Sequence, residues 1–338
     1  MDWHKHFEKV FFESWQNAGF GYPQDYVSKY IEIREHSDSK SDWIKNSPAI
    51  SATIDGSQLY SVYGFGACTG KIFAEMLGSS KSITENTADW CGRFNLGISL
   101  FDYVCDETDN LNNVSSLKVF EPFRTSNDLV SKALSPAEEL LSRIAGSVLN
   151  DLAYKLEKKD GRQETDILFK VIKQMFDAQN LLSKEQLSTS TDLDNIKKAL
   201  YLKSAEPFRV MAEYIARLTD PNDELLIKKS QAIGKALGTC YWVIDDAKDV
   251  WIDLEEGQWN YFLYLAAKED PLIFEMNRNE DIKNSLISIW QQEGHAEKIS
   301  AQIVERLIQA SKELGLTEEA QKHSFGLIAA SLWQWYSY

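Results

Sequence analysis

Cysteine is scarce in this chain of 338 residues: Cys68, Cys91, Cys105 and Cys240 stand far apart, with no Cys-x-x-Cys pair. That pattern excludes the usual zinc-knuckle spacing and a disulfide framework, and makes reduced thiols the expectation. The five histidines form no His-Glu-x-x-His metal motif. No apolar run approaches the roughly 18 residues of a membrane span, so stable membrane insertion is not expected. The N-terminal MDWHKHFEKVFFESW mixes charges and lacks a signal-peptide apolar core, which points to a cytoplasmic protein. Positive charge is also short: 36 Lys and Arg face 51 Asp and Glu, a net charge of −15. Nucleic acid is therefore excluded as a partner, because its phosphate backbone requires a basic face. A small anion is not excluded, since bound cations reverse the local field.

Only 7 prolines and 17 glycines interrupt the chain, while 43% of its residues are hydrophobic. A sizeable core and long helices follow. Leu140, Ile144, Val148 and Leu152 recur at steps of four within 139–159, the stripe of an amphipathic helix. Segments 162–182, 207–218 and 305–315 read the same way. The segment 51–65, SATIDGSQLYSVYGF, is the one tempting strand. Polar breaks are expected at 21–26, 34–43, 107–116 and 219–224. No repeat, low-complexity tract or flexible linker appears. The fold class predicted is all-α: a single domain over 1–338, a bundle of ten or more helices around a central apolar cavity, with N-terminal helices in 1–50 and the catalytic bundle in 51–338.

Two acidic clusters stand out. Asp102, Asp106 and Asp109 are spaced i, i+4, i+7; Asp245, Asp249 and Asp253 are spaced i, i+4, i+8, with Asp246 beside them. In a helix each set forms a stripe on one face. Like charges at i, i+4 cost a few tenths of a kcal/mol, and the C-terminal end of a helix is the wrong end for carboxylates. A divalent cation removes both penalties, and several oxygen ligands suit Mg²⁺, which also binds substrate phosphates. The segments before the clusters, FNLGISLF (94–101) and ALGTCYWVI (236–244), are uncharged and mostly apolar. Each helix thus reads as running from a core to the mouth of a pocket. Asn95, Ile98 and Ser99 precede the first cluster, and Gly238, Tyr241 and Trp242 the second; these are the predicted pocket wall. No Ca²⁺-binding EF-hand loop is present: 106–117 lacks both its glycine and its final glutamate.

Asp245-Asp246-Ala247-Lys248-Asp249 resembles the second aspartate-rich motif, DDxxD, of the class I isoprenoid and terpene synthase superfamily, whose trans-prenyltransferases share one fold. Asp102-Tyr103-Val104-Cys105-Asp106-Glu107 is similar to the first motif, and Asp245 follows Asp102 by 143 positions, a spacing that suits this fold. Lys203-Ser204 resembles the Lys-Thr pair whose lysine binds diphosphate. The resemblance spans roughly residues 60 to 265. It implies Asp102, Asp106, Asp245, Asp246, Asp249 and Asp253 as metal ligands, with Asp102, Asp106, Asp245 and Asp249 essential for catalysis. It implies three Mg²⁺ ions, with Mn²⁺ able to substitute, and a linear prenyl diphosphate as substrate. Lys203, Arg124 and Lys71 are the diphosphate-binding candidates, with Arg209 and Lys235 behind them. A homodimer is the assembly common in such families; the residues leave it open.

Departures from the elongating members are specific. GACTGKIF (66–73) keeps only Gly70-Lys71 of their Gly-Gly-Lys-Arg motif, and no Arg-Arg pair follows Asp106. Trp242 stands where they carry glutamine, and Gly257-Gln258 where they carry Gly-Lys. The losses concern a second diphosphate. The leading expectation is therefore a terpene synthase that ionises an allylic diphosphate and cyclises or quenches the cation, with aromatic faces stabilising it. The alternatives are a prenyltransferase (elongating, head-to-head condensing, or transferring to a non-diphosphate acceptor) and a non-catalytic acidic helical binding protein.

Overall fold

The computed structural model describes residues 2–39, 56–108, 192–275 and 280–336, with isolated positions between 174 and 187. Among the described residues there are eleven α-helices and no strand. They are α1 (Trp3–Asn17), α2 (Pro23–Ser39), α3 (Gly56–Met76), α4 (Lys81–Thr108), α5 (Leu193–Ser204), α6 (Glu206–Thr219), α7 (Glu224–Glu256), α8 (Tyr261–Glu269), α9 (Glu280–Gln292), α10 (His295–Leu314) and α11 (Glu318–Tyr336). The all-α expectation holds. The tempting strand does not: from Gly56 onward that segment is the start of α3. Short-range alternation does not distinguish such an apolar stretch from a helix start. Within the break expected at 34–43, residues 34–39 are helical in α2, and 40–43 lie outside the described residues. The turns at 21–26 and 219–224 fall between helices as expected. Segment 139–159 lies outside the described residues.

The chain divides into two compact units, residues 1–27 with 174–338, and residues 28–173. Helix α1 buries Trp3, Phe7, Phe11 and Trp15 along one face. Trp3 meets Trp290 at 4.8 Å and Phe262 at 5.4 Å between ring centroids, so α1 joins α8 and α9 in one aromatic core. The Trp290 indole N–H is satisfied by the Phe262 carbonyl at 3.0 Å. At the other end of α1, Trp15 and Phe20 pack on Phe325 of α11.

Helix α7 is the spine of this unit. It has 33 residues, about 50 Å at 1.5 Å per residue. Asp223 caps its N-terminus by accepting from the Leu226 N–H at 2.9 Å. Gly257 ends it in the left-handed region at φ 77°, and the Gln258 N–H returns to the Asp253 carbonyl at 2.8 Å, a glycine-dependent stop. Midway, Gly234 and Gly238 let α7 approach the α5–α6 junction closely. A Cβ at Gly238 would strike the Ala205 carbonyl oxygen, and one at Gly234 would lie 2.7 Å from that of Phe208. In the other unit, α3 and α4 are joined by a short turn and packed by the same device. A Cβ at Gly66 would lie 2.5 Å from the Cys91 carbonyl oxygen, and one at Gly92 2.6 Å from the Tyr63 ring.

Alanine normally strengthens a helix over glycine by about 1 kcal/mol. At position 238 the sign reverses, because the methyl meets backbone. Gly238→Ala is expected to lower unfolding stability by about 1–3 kcal/mol, read from urea midpoints at constant m-value.

Candidate functional site

The second acidic cluster occupies the last three turns of α7. At 100° per residue, Asp245 and Asp249 fall about 40° apart around the helix, and Asp246 and Asp253 about 20° apart on the neighbouring azimuth. Asp245 is exposed; Asp246, Asp249 and Asp253 are half-buried. The Trp242 indole N–H donates to Asp246 Oδ2 at 2.8 Å, and the Tyr261 backbone N–H donates to the same oxygen at 2.6 Å. Asn260, 1% exposed, uses its whole amide. Its Oδ1 accepts from the Phe262 and Leu263 N–H groups and caps α8. Its Nδ2 donates to the Asp246 carbonyl and to Asp253 Oδ2, both at 2.9 Å.

Crowding leaves an electrostatic signature. Burial pushes the Asp246 carboxyl well above its usual range, the Asp253 and Asp245 charges push it further, and the Tyr261 N–H and Lys203 oppose them. Burial likewise raises Asp253 to about 7, against the pull of Asn260 and Lys203. Asp249 is raised by burial and pulled back by Lys248 and by His4 of α1. Carboxylates held this way lack positive charge, and a bound divalent cation supplies it. Among the described residues no three His, Cys, Asp or Glu side chains converge as a ready-made metal cage. The residues present fit the ion: Asp245 and Asp249 stand one turn apart on the more open azimuth.

Lys203 lies in the last turn of α5, and its charge acts on both Asp246 and Asp253. Arg209 is committed elsewhere. It bridges Glu206 at 2.5 Å and Glu213 on its own helix, and Glu213 also accepts from Arg217 at 2.7 Å. Lys235 lies over the Tyr201 ring at 5.1 Å. Lys71 lies on α3 in the other unit, where its charge acts on Cys68, a thiol pushed up to about 12 by burial.

The predicted pocket wall is more tightly packed than expected. Gly238 faces the Ala205 backbone. Tyr241 stacks on Phe208 at 4.8 Å, and its hydroxyl lies 2.5 Å from Ser331 Oγ on α11. Trp242 is 5% exposed, against Tyr261 at 4.9 Å and Tyr201 at 6.4 Å. Asn95 sits at the α3–α4 contact, where a Cβ at Gly66 would lie 2.5 Å from its Cβ, and Ile98 is half-buried. Asp102 and Asp106 fall in the last two turns of α4, with Ser99 one turn earlier, so the first cluster is helical as expected. Asp109 and Arg124 lie outside the described residues. Sequence reasoning missed Asn260, Tyr261 and His4. Asn260 ahead of the apolar YFLYLAA is readable as a helix cap, but its bonds to Asp246 and Asp253 are not.

For the metal-free protein the raised Asp253 carboxyl has a definite pH sign. An unfolded aspartate titrates near 3.9, so this group's contribution is full below about pH 4 and is lost as pH rises through about 7. In the presence of a chelator, urea midpoints should be higher at pH 5 than at pH 8. Asp253→Asn should remove roughly 1–2 kcal/mol of that difference, after allowance for solvent screening.

No protein-family model matches the chain, and no curated protein matches it by sequence. Solved structures do match its fold. Geranylgeranyl pyrophosphate synthase from Lactobacillus brevis aligns over 94% of this chain and 98% of its own, at 15% identity and a TM-score of 0.61. A polyprenyl synthase from Caulobacter crescentus, solved with calcium and isoprenyl diphosphate, aligns over 96% and 97%, at 13% identity and a TM-score of 0.53. No described helix is long and apolar enough to cross a membrane. The chain has the all-α class I isoprenoid-synthase fold, the fold of the prenyl diphosphate synthases.

Proposed function

We propose that the chain is a Mg²⁺-dependent enzyme acting on an allylic prenyl diphosphate, and that it is a prenyltransferase. The observation that carries this reading is the carboxylate cluster at the end of buried α7, short of positive charge, in a fold shared with prenyl diphosphate synthases. When bound, Mg²⁺ neutralises the charge that develops on the departing diphosphate. Asp245 and Asp249 hold the metal. Lys203 offsets the charge of the inner carboxylates and is placed to meet the diphosphate. Asp102 and Asp106, at the end of α4, supply the other acidic motif by the same resemblance. A non-catalytic acidic surface is disfavoured, because half-buried carboxylates with named donors are not a solvated face.

A specific observation supports a second reading. The Trp242 indole N–H is bound to Asp246, so it cannot offer a substrate what a glutamine amide offers. Gln258 likewise carries no charge where the elongating enzymes carry lysine. Both favour cyclisation, or transfer to an acceptor without a diphosphate, over chain elongation.

Incubation with C10 to C25 allylic diphosphates and Mg²⁺, with and without isopentenyl diphosphate, separates the readings. Longer prenyl diphosphates formed only with isopentenyl diphosphate support elongation. Inorganic diphosphate released with a hydrocarbon or alcohol supports the cyclase. Intact substrate in every mixture, including mixtures with two allylic units or with amine and aromatic acceptors, refutes both. Asp245→Asn is expected to lower kcat by about a hundredfold or more with the fold retained by circular dichroism.

A further inference from the structure

The four aspartates of α7 do not stand in equivalent places, and the difference gives them different roles. Asp246 and Asp253 share one azimuth two turns apart, and both reach the first residues of α8. Asp246 receives the Tyr261 backbone N–H and the Trp242 indole N–H on a single oxygen, Oδ2. Asp253 receives the Asn260 amide, which also holds the Asp246 carbonyl. Asn260 in turn caps α8. These contacts form a clasp that sets where α8 starts relative to α7. Trp242 completes it from the preceding turn, its ring wedged between Tyr201 and Tyr261. Asp245 and Asp249 stand roughly 70° around the helix from this pair.

We propose that Asp246, though it is the second aspartate of an apparent metal motif, is a positioning residue rather than a cation ligand. With Trp242 and Asp253 it clasps the α7–α8 turn and aims Asp245 and Asp249, which take the cation. The inference rests on the preceding functional reading for the identity of that cation. It also explains why an indole can replace an amide at position 242. An indole has one donor and no acceptor, and here that donor fixes a carboxylate. Phenylalanine at this position keeps the ring packing and loses only the donor, so it isolates the bond.

Two measurements test the proposal. The first is thermal unfolding of the full chain without metal. Asp246→Ala and Trp242→Phe should each lower the melting temperature by about 2–5 °C, and Asp246→Asn should recover much of the alanine loss, because its oxygen still accepts both donors. The Trp242→Phe and Asp246→Ala losses should not add in the double variant. Asp245→Asn and Asp249→Asn should leave the melting temperature unchanged or raised, since each removes like-charge repulsion. The second is Mn²⁺ binding in the presence of inorganic diphosphate, followed by electron paramagnetic resonance. Asp245→Asn and Asp249→Asn should weaken it by about a hundredfold, and Asp246→Asn by no more than about tenfold. Should Asp246→Ala fail to fold, Asp246→Asn and Trp242→Phe carry the test. Loss of Mn²⁺ in Asp246→Asn as severe as in Asp245→Asn, with an unchanged metal-free melting temperature, overturns the positioning role. Failure of the unaltered protein to bind Mn²⁺ with diphosphate overturns the metal-dependent reading instead, and the metal-free melting series still decides the clasp.

Discussion

Repulsion among Asp245, Asp246, Asp249 and Asp253 is the constraint around which the C-terminal unit is arranged. The four lie within nine residues of a helix with one buried face, at the end where the helix dipole is also negative. Such a cluster persists only if neighbours supply donors or charge. The donors come from three places: a tryptophan one turn back, and the side chain of one residue and the backbone of the next at the start of α8. The charge comes from Lys203 at the end of α5, Lys248 on α7 itself and His4 on α1. This supply is incomplete, since three of the carboxyls still sit above their usual range. The remaining deficit is what a divalent cation with a diphosphate would correct.

Holding the cluster still requires a stiff support, and the support is built from small residues. Gly234 and Gly238 bring α7 against the α5–α6 junction so closely that a methyl would strike backbone. That contact fixes the end of α5, and with it Lys203, relative to the aspartates. On the other side, Tyr241 ties α7 to α11 through Ser331. Beneath them, the ladder of Glu206, Arg209, Glu213 and Arg217 runs along α6 with opposite charges adjacent at every step. A buried cation that loses its partner is costly, so Arg209 is kept for the ladder and not for a substrate. Lys203, which acts on the acids, stands at a helix end, where the local dipole favours it.

The acidic balance of the whole chain matters for the same chemistry. A net charge of −15 repels an anionic substrate unless metal ions accompany it. Under the proposed function, divalent cations would supply attraction as well as leaving-group stabilisation, and affinity for diphosphate would depend on metal. The substitutions that distinguish this chain from elongating synthases fit that pattern. Trp242 and Gln258 add no charge of their own, and Trp242 uses its one donor inside the protein.

Much of this was legible in the residues alone. Scarce proline and glycine with a four-residue apolar rhythm meant helices, and aspartates at i, i+4 and i+8 meant a stripe on one of them. These are short-range properties, set by the pitch of the helix. The same rules left the start of α3 as a tempting strand and placed a break over 34–43, where residues through Ser39 are helical, because local pattern does not decide such ambiguous stretches. They could not foresee that Asp246 meets the start of α8, or that Gly238 meets the Ala205 backbone. Which neighbour each side chain meets depends on helices far away in sequence: α8 reaches back to Asp246 across 15 positions, and α11 reaches Tyr241 across 90. A pattern along the chain records which face a residue occupies; only the close approach of helices decides whether that face meets solvent, a hydrogen-bond donor or another backbone.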